Sequence, residues 1–174
     1  MLTITAAPLA HTMLPELAHE LALTRRVLER APEAQFGWQP HPKSMTLGQL
    51  ASHTTDLPGW IEDTFNTEEL DVAYFDDDAP TTASTRAELL ERLEAKGAAA
   101  HAALEAADDE AFAHTWTMRR GEQIIIRQTR AEIARHLISH MIHHRAQLMV
   151  YLRLLDVPVP GVYGPSADET NGWE

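Results

Sequence analysis

Cysteine is absent from the sequence. That excludes disulfides, thiolate metal sites and a cysteine nucleophile, and leaves His, Asp and Glu as the side chains able to hold a transition metal. Basic side chains are scarce: 14 Lys and Arg stand against 26 Asp and Glu, a formal net charge of -12. Such a surface repels a phosphate backbone, whose binding depends on Lys and Arg displacing counterions, so nucleic acid is not an expected partner. No stretch approaches the roughly 20 apolar residues of a membrane span. The opening MLTITAAPLAHTML also lacks the basic segment of a secretory signal. The expectation is a soluble, cytoplasmic protein with no membrane partner. At 174 residues the chain suits one domain with a substantial core and is short for two, so residues 1–174 are read as one domain.

Helical periodicity is present in four stretches. The first, about residues 9–30, spaces Leu14, Leu17, Leu21 and Leu28 on one face and ends near Pro32. Pro32, Pro40 and Pro42 then mark a loop. A capping-box pattern at Thr46 and Gln49 opens the second helix, with Leu47, Leu50, Thr54, Leu57 and Ile61 in steps of three and four. Pro58 interrupts that pattern and predicts a kink or an early end. The acidic stretch EELDVAYFDDDAPTT reads as a solvated connection, and it lacks the spacing of a calcium-binding EF-hand loop.

A second capping pattern, Thr85 and Glu88, opens a third helix through Leu89, Leu93 and Leu104. HTWTMRRGEQIIIRQ then places two β-prone runs around an Arg-Gly-Glu turn, the signature of a short hairpin. The fourth helix, about residues 129–155, is the most apolar, and residues 156–174 form a proline- and glycine-rich tail without periodicity. The predicted fold is all-α, a four-helix bundle with a short β-hairpin between the third and fourth helices.

The stretch HLISHMIHHRAQ carries four histidines in twelve residues of that fourth helix. At about 100° per residue, Ile133, Leu137, Met141, Leu148, Leu152 and Leu155 share one arc. His140 and His144 fall within it, His136 at its margin and His143 outside. A pair at i and i+4 projects from adjacent turns, the spacing by which a helix offers two nitrogens to one metal. His53, beside Leu50 and Leu57 on the second helix, is the best third candidate. Spacing alone leaves two readings open: a metal site, or neutral core and edge histidines, each of which needs a hydrogen-bond partner to offset desolvation. His136 and His140 also satisfy i, i+4.

His11, His19, His41, His101 and His114 show no ligand spacing, and most of them are expected at the surface. Asp56, one turn after His53, is a candidate to orient that imidazole or bind the metal, with a solvated carboxylate the expected reading. Trp60, a further turn on, is a candidate wall of a pocket or a plain core residue.

The second-helix stretch MTLGQLASHTTDLPGW and the fourth-helix stretch HLISHMIHHRAQLMVYLRLLDVPVPGVYGPSADE resemble the DinB/YfiT-like superfamily of metalloenzyme candidates. The resemblance implies a four-helix bundle, often a homodimer, with one divalent metal ion held by a histidine of the second helix and a His-x-x-x-His pair of the fourth. Carried over by position, the ligands are His53, His140 and His144, and His136 and His143 are rejected. Nickel, zinc or iron is the implied ion, and imidazole suits all three.

Three imidazoles fill part of a tetrahedral or octahedral shell, and the open positions suit water or a substrate. Activated water suits hydrolysis. A thiolate there suits a low-molecular-weight-thiol-dependent transferase, an activity the resemblance implies. Hydrolysis calls for a general acid or base, for which Asp56 and Glu62 are the nearest carboxylates. Thiol transfer calls for cationic or hydrogen-bonding groups, and Arg145, Gln147 and Tyr151 lie within about two turns of the ligands. Arg145 is expected to face outward or form a salt bridge. No catalytic residue is assigned and the small-molecule substrate is unnamed. The alternative is a non-catalytic stress- or damage-response protein whose metal is structural. Ile138, Ile142 and Met149 form a second apolar stripe, suited to a partner subunit or to another helix of the bundle.

Overall fold

A computed structural model describes residues 9–73 and 81–169, and in it three of the four long helices begin at a threonine. After α1 (Leu9–Leu28) and one 3-10 turn (Glu33–Gln35), Thr46 caps α2 (Leu47–Asn66). Its hydroxyl accepts the Gln49 amide while the Gln49 side chain accepts the Thr46 amide, so two otherwise unpaired donors are satisfied. Thr85 caps α3 (Arg86–Ala106), but here the Glu88 carboxylate reaches back to the amide of Ser84 instead of the cap residue. The short α4 (Asp109–Ala113) follows. A full capping box at Thr129 and Glu132 then starts α5 (Arg130–Leu154), the fourth helix of the sequence reading.

Four long helices form the bundle. Beside them lies a small sheet: β1 (Glu69–Asp71) pairs parallel with β2 (Thr115–Arg120), which pairs antiparallel with β3 (Gln123–Thr129). β2 and β3 are the expected hairpin, turning at Gly121, whose φ of 57° lies in the left-handed region that glycine enters without a Cβ clash.

Two expectations are corrected. Pro58 does not end α2, which runs on to Asn66. A proline inside a helix costs about 3 kcal/mol or more through a lost hydrogen bond and a ring clash. Here Leu57, Pro58, Ile61 and Thr64 are all buried, so packing on both sides of the proline offsets that cost. The acidic stretch is not simply solvated either. Its Glu69–Asp71 segment is β1, and Arg119 of β2 pairs with both Glu69 and Asp71. Glu68 accepts from Arg130 and pairs with His114. These partners lie some 50 residues further along, which is why the charges looked unpaired in sequence. The remainder of the stretch, 74–80, lies outside the described residues.

The core falls into two clusters that share helices. One gathers Leu17, Leu57, Ile61, Leu104, Trp116 and Leu137; the other gathers Leu28, Leu47, Leu50, Leu89, Leu148 and Leu152. Along α2 the changeover falls between Ala51 and Leu57, and along α5 between Met141 and Leu148. His53 and His144 occupy those gaps, with His140 at the edge of the second.

The tail has no regular structure in its described part, as expected, yet it is docked. Val159 is buried, Gly161 donates to Glu169 at 2.8 Å, and Glu169 pairs with Arg26 of α1 at 3.2 Å. The second stripe of α5 is divided by this packing: Ile138 belongs to the core, whereas Ile142 and Met149 line a cavity of about 410 Å³ with Val159, Val162 and Tyr163 of the tail. No helix among the described residues is long and apolar enough to cross a membrane.

Candidate metal centre

His140 and His144 stand one turn apart on α5, with their Nε2 atoms 2.8 Å from each other. The ring of His53, from α2, lies 5.3 Å from that of His140 and 4.7 Å from that of His144, centre to centre. One nitrogen from each imidazole falls within 4.8 Å of the other two. Metal–nitrogen bonds of about 2.1 Å separate two ligands by about 2.9 Å at a right angle and about 3.4 Å at the tetrahedral angle. The α5 pair is therefore already at coordination spacing, and among the described residues no fourth His, Asp or Glu joins the group.

The protonation of the cluster follows from its position between two apolar clusters. Burial lowers the pKa of His53, aided by His144 and opposed by Asp56. Burial and the neighbouring His144 and His53 bring His140 down to about 4. His144 is lowered by burial and by His143, against the hydrogen bond of Gln147. Neutral imidazole is the ligating form, so near pH 7 the donors are ready without losing a proton.

Gln147 sets the orientation of one ligand. Its Oε1 lies 2.7 Å from His144 Nδ1, and since a carbonyl oxygen only accepts, the imidazole donates from Nδ1 and keeps the Nε2 lone pair for the cluster. The donor set, its convergence and this support together fit a divalent first-row ion.

His136 and His143 are exposed, with ring centres 5.7 Å from His140 and 5.0 Å from His144, and neither belongs to the group. His11, His19, His41, His101 and His114 are all exposed. Asp56 departs from expectation. It is buried and bound to Lys96 of α3, because the alkyl stem of the lysine spans the helix boundary and brings its ammonium to the carboxylate. Arg145 is also buried, and it forms the ion pair foreseen as its alternative, with Glu20 of α1. Tyr151 is engaged elsewhere: its hydroxyl donates to the Met45 carbonyl and its ring meets Trp38 edge-on.

Three cavities surround the imidazoles. A charged one of about 580 Å³ is lined by His53, Asp56, Trp60, Glu62, Arg92 and Lys96. A smaller one of about 250 Å³ shares His53 and Asp56 and is bounded by Gln49, Ser52 and Thr82. The third, on the His140 side, is apolar. Trp60 does wall a pocket, standing edge-on to His53 with ring centres 6.3 Å apart. Sequence reasoning missed Arg92 and Lys96, which no ligand or catalytic motif marks on α3, and the role of Gln147, although its i, i+3 spacing from His144 was a legible signal.

Comparison with known proteins agrees with this architecture. The chain is 29% identical over 154 residues to the uncharacterized protein YrdA of Bacillus subtilis (strain 168), covering 86% of this chain and 85% of that one. Its fold matches the crystal structure of a DinB-like protein from Bacillus cereus, with a TM-score of 0.68, 21% identity, and coverage of 88% of this chain and 97% of the other. A DinB-like protein of Bacillus subtilis, YjoA, matches with a TM-score of 0.68 at 16% identity, over 89% and 99% of the two chains. The model of the DinB family matches residues 1–174. The chain belongs to the DinB family.

Proposed function

We propose that this protein is a divalent-metal-dependent enzyme in which His53, His140 and His144 hold the ion and the remaining coordination positions take water or substrate. The observation that carries this reading is the convergence of three imidazole nitrogens within 4.8 Å, with no fourth His, Asp or Glu in the group among the described residues. A structural site is closed by four protein ligands, whereas catalytic sites keep a position open. When bound, the ion supplies Lewis acidity, making a water or a thiol at an open position more acidic.

The chain's own residues favour thiol-dependent group transfer. The cavity beside His53 carries two cations, Arg92 and Lys96, and three carboxylates, Asp56, Glu62 and Asp63. Glu62 and Asp63 offer carboxylates to an ammonium, and Arg92 and Lys96, paired with Glu88 and Asp56, add positive charge to the same wall, a lining that suits a small zwitterionic thiol. Asp56 is engaged by Lys96, which leaves it poorly placed to move a proton. Hydrolysis is the second reading, supported by Glu62, whose carboxylate shares the cavity with His53. A homodimer belongs to the same proposal, supported by the exposed Val150 and Leu154 of α5.

The test is metal content by mass spectrometry of untagged protein, with His53→Ala, His140→Ala and His144→Ala beside His143→Ala. Near one ion per chain, lost in the three variants and kept in the fourth, supports the site, and thiol-transferase and hydrolase substrates are then screened on the loaded protein. Water exchange at the ion, read by relaxation of a paramagnetic substitute, separates an open site from a closed structural one. A protein that neither retains nor accepts nickel, zinc or iron removes the enzyme reading.

A further inference from the structure

On the His140 side of the cluster, α2, α5 and one face of the β2–β3 hairpin enclose a cavity of about 130 Å³. Trp60, Trp116, Met118, Ile126, Ile133 and Leu137 form most of its wall, and Thr64, His136 and His140 complete it. Two of the polar side chains of the wall are engaged within the protein, and the exposed His136 adds a second imidazole beside His140. The Thr64 hydroxyl donates to the Trp60 carbonyl at 2.7 Å, and the Trp116 indole N–H donates to the Thr67 hydroxyl at 3.1 Å. What faces the space is largely hydrocarbon.

Such a space holds water poorly, since a buried water needs two to four polar partners, and it accepts apolar guests instead; an engineered apolar cavity of about 150 Å³ takes up benzene. Unfilled apolar volume also forfeits dispersion contacts and lowers stability. The surrounding helices pack closely, with Leu57, Ile61 and Ile138 no more than 1% exposed, so the gap is local to the imidazole cluster. Trp60 is a wall of both this cavity and the charged one that contains His53. The cluster thus stands between a charged space and an apolar one.

We propose that the apolar cavity is a subsite for the hydrocarbon part of the substrate, an alkyl or aryl group up to about the size of a benzene ring, seated between Trp60 and Trp116 beside the imidazole of His140. The proposal rests on the reading of the cluster as an enzyme site and names the class of molecule it acts on: one with a compact apolar group adjoining the bond that reacts. A fully polar substrate leaves the cavity empty and gains nothing from it.

Fluorobenzene is the probe, followed by fluorine NMR and by tryptophan fluorescence on the full chain with and without added zinc. Saturable binding at one site is expected in both states, displaced by toluene and unaffected by glycerol. Ile126→Trp and Met118→Phe enlarge half-buried side chains on the hairpin and are expected to weaken binding at least about tenfold, with wild-type circular dichroism and metal content retained. Either folded variant decides the point. Absence of saturable binding to the wild type in both states overturns the proposal, as does binding that neither variant weakens. Because the readout needs no turnover, a protein that binds fluorobenzene but takes up no metal removes only the enzyme reading. One that holds metal but binds no fluorobenzene removes only the subsite.

Discussion

Arg145 of α5 and Glu20 of α1 form an ion pair with side chains 1% and 5% exposed, guanidinium Nη1 lying 2.6 Å from Oε2. Nη1 also donates to the Glu20 carbonyl at 3.1 Å, and Nη2 donates to the Tyr163 hydroxyl at 2.9 Å. That hydroxyl donates in turn to Glu20 Oε1 at 2.8 Å. Burial and the adjacent Glu20 raise the pKa of Tyr163, so it keeps the proton it donates. Because Arg145 directly follows His144, the network fixes the rotation of α5 against α1 next to the imidazole cluster and ties the tail to both helices.

Removing one partner of this pair strands the other charge in the interior, a loss of about 3–5 kcal/mol. Arg145→Met and Glu20→Leu are each expected to unfold at markedly lower urea, while the double variant recovers much of the loss. Single variants as stable as the wild type show that the pair contributes no net stability.

Gln147→Leu keeps all three imidazoles but removes the acceptor that orients His144. Loss of such a supporting hydrogen bond weakens metal affinity by about 10–100-fold. Zinc competition with a chelator measures it, and unchanged affinity rules out an orienting role for Gln147.

Acid is expected to loosen the tail. Asp168 is held below the usual carboxylate pKa by the Arg153 guanidinium and the Val159 amide. A depressed folded value means that its stabilisation is present above the unfolded value of about 3.9 and is lost as pH falls through the folded one. Asp168→Asn should therefore melt lower than the wild type near neutral pH, and the difference in Tm should vanish in acid. A difference constant with pH assigns the effect to something other than the charge.

Space at Gly161 is already taken: a Cβ there meets the Gly164 carbonyl oxygen at 2.3 Å and the Pro165 Cα at 3.1 Å. Gly161→Ala is expected to destabilise by about 1–3 kcal/mol as the tail backbone moves aside. At Gly37 nothing lies within 4 Å, and Gly37→Ala serves as the control. Thermal unfolding and tail proteolysis distinguish the two; equal behaviour means the tail is not packed at Gly161.

The features legible in the sequence are those that depend on neighbours in the chain. Thr46 with Gln49 and Thr85 with Glu88 cap helices within one turn, so their pattern reads directly. His140 and His144 share a face because the helical repeat puts them there. Pro58 predicts a kink or an early end, and the early end does not occur because the packing that offsets the proline's local cost is not legible in sequence.

By itself the sequence determined the four helices, the hairpin and the presence of i, i+4 imidazole pairs on α5, since turn-to-turn spacing and hydrogen bonding are local. Tertiary structure alone decided that His53, a candidate in the sequence, meets the pair His140 and His144 and not the pair His136 and His140, that Lys96 neutralises Asp56, that Arg119 turns an acidic stretch into β1, and that Glu20 receives Arg145. The physical reason is range. Each of those contacts joins residues 40 or more positions apart, and which charges meet there depends on how whole helices pack.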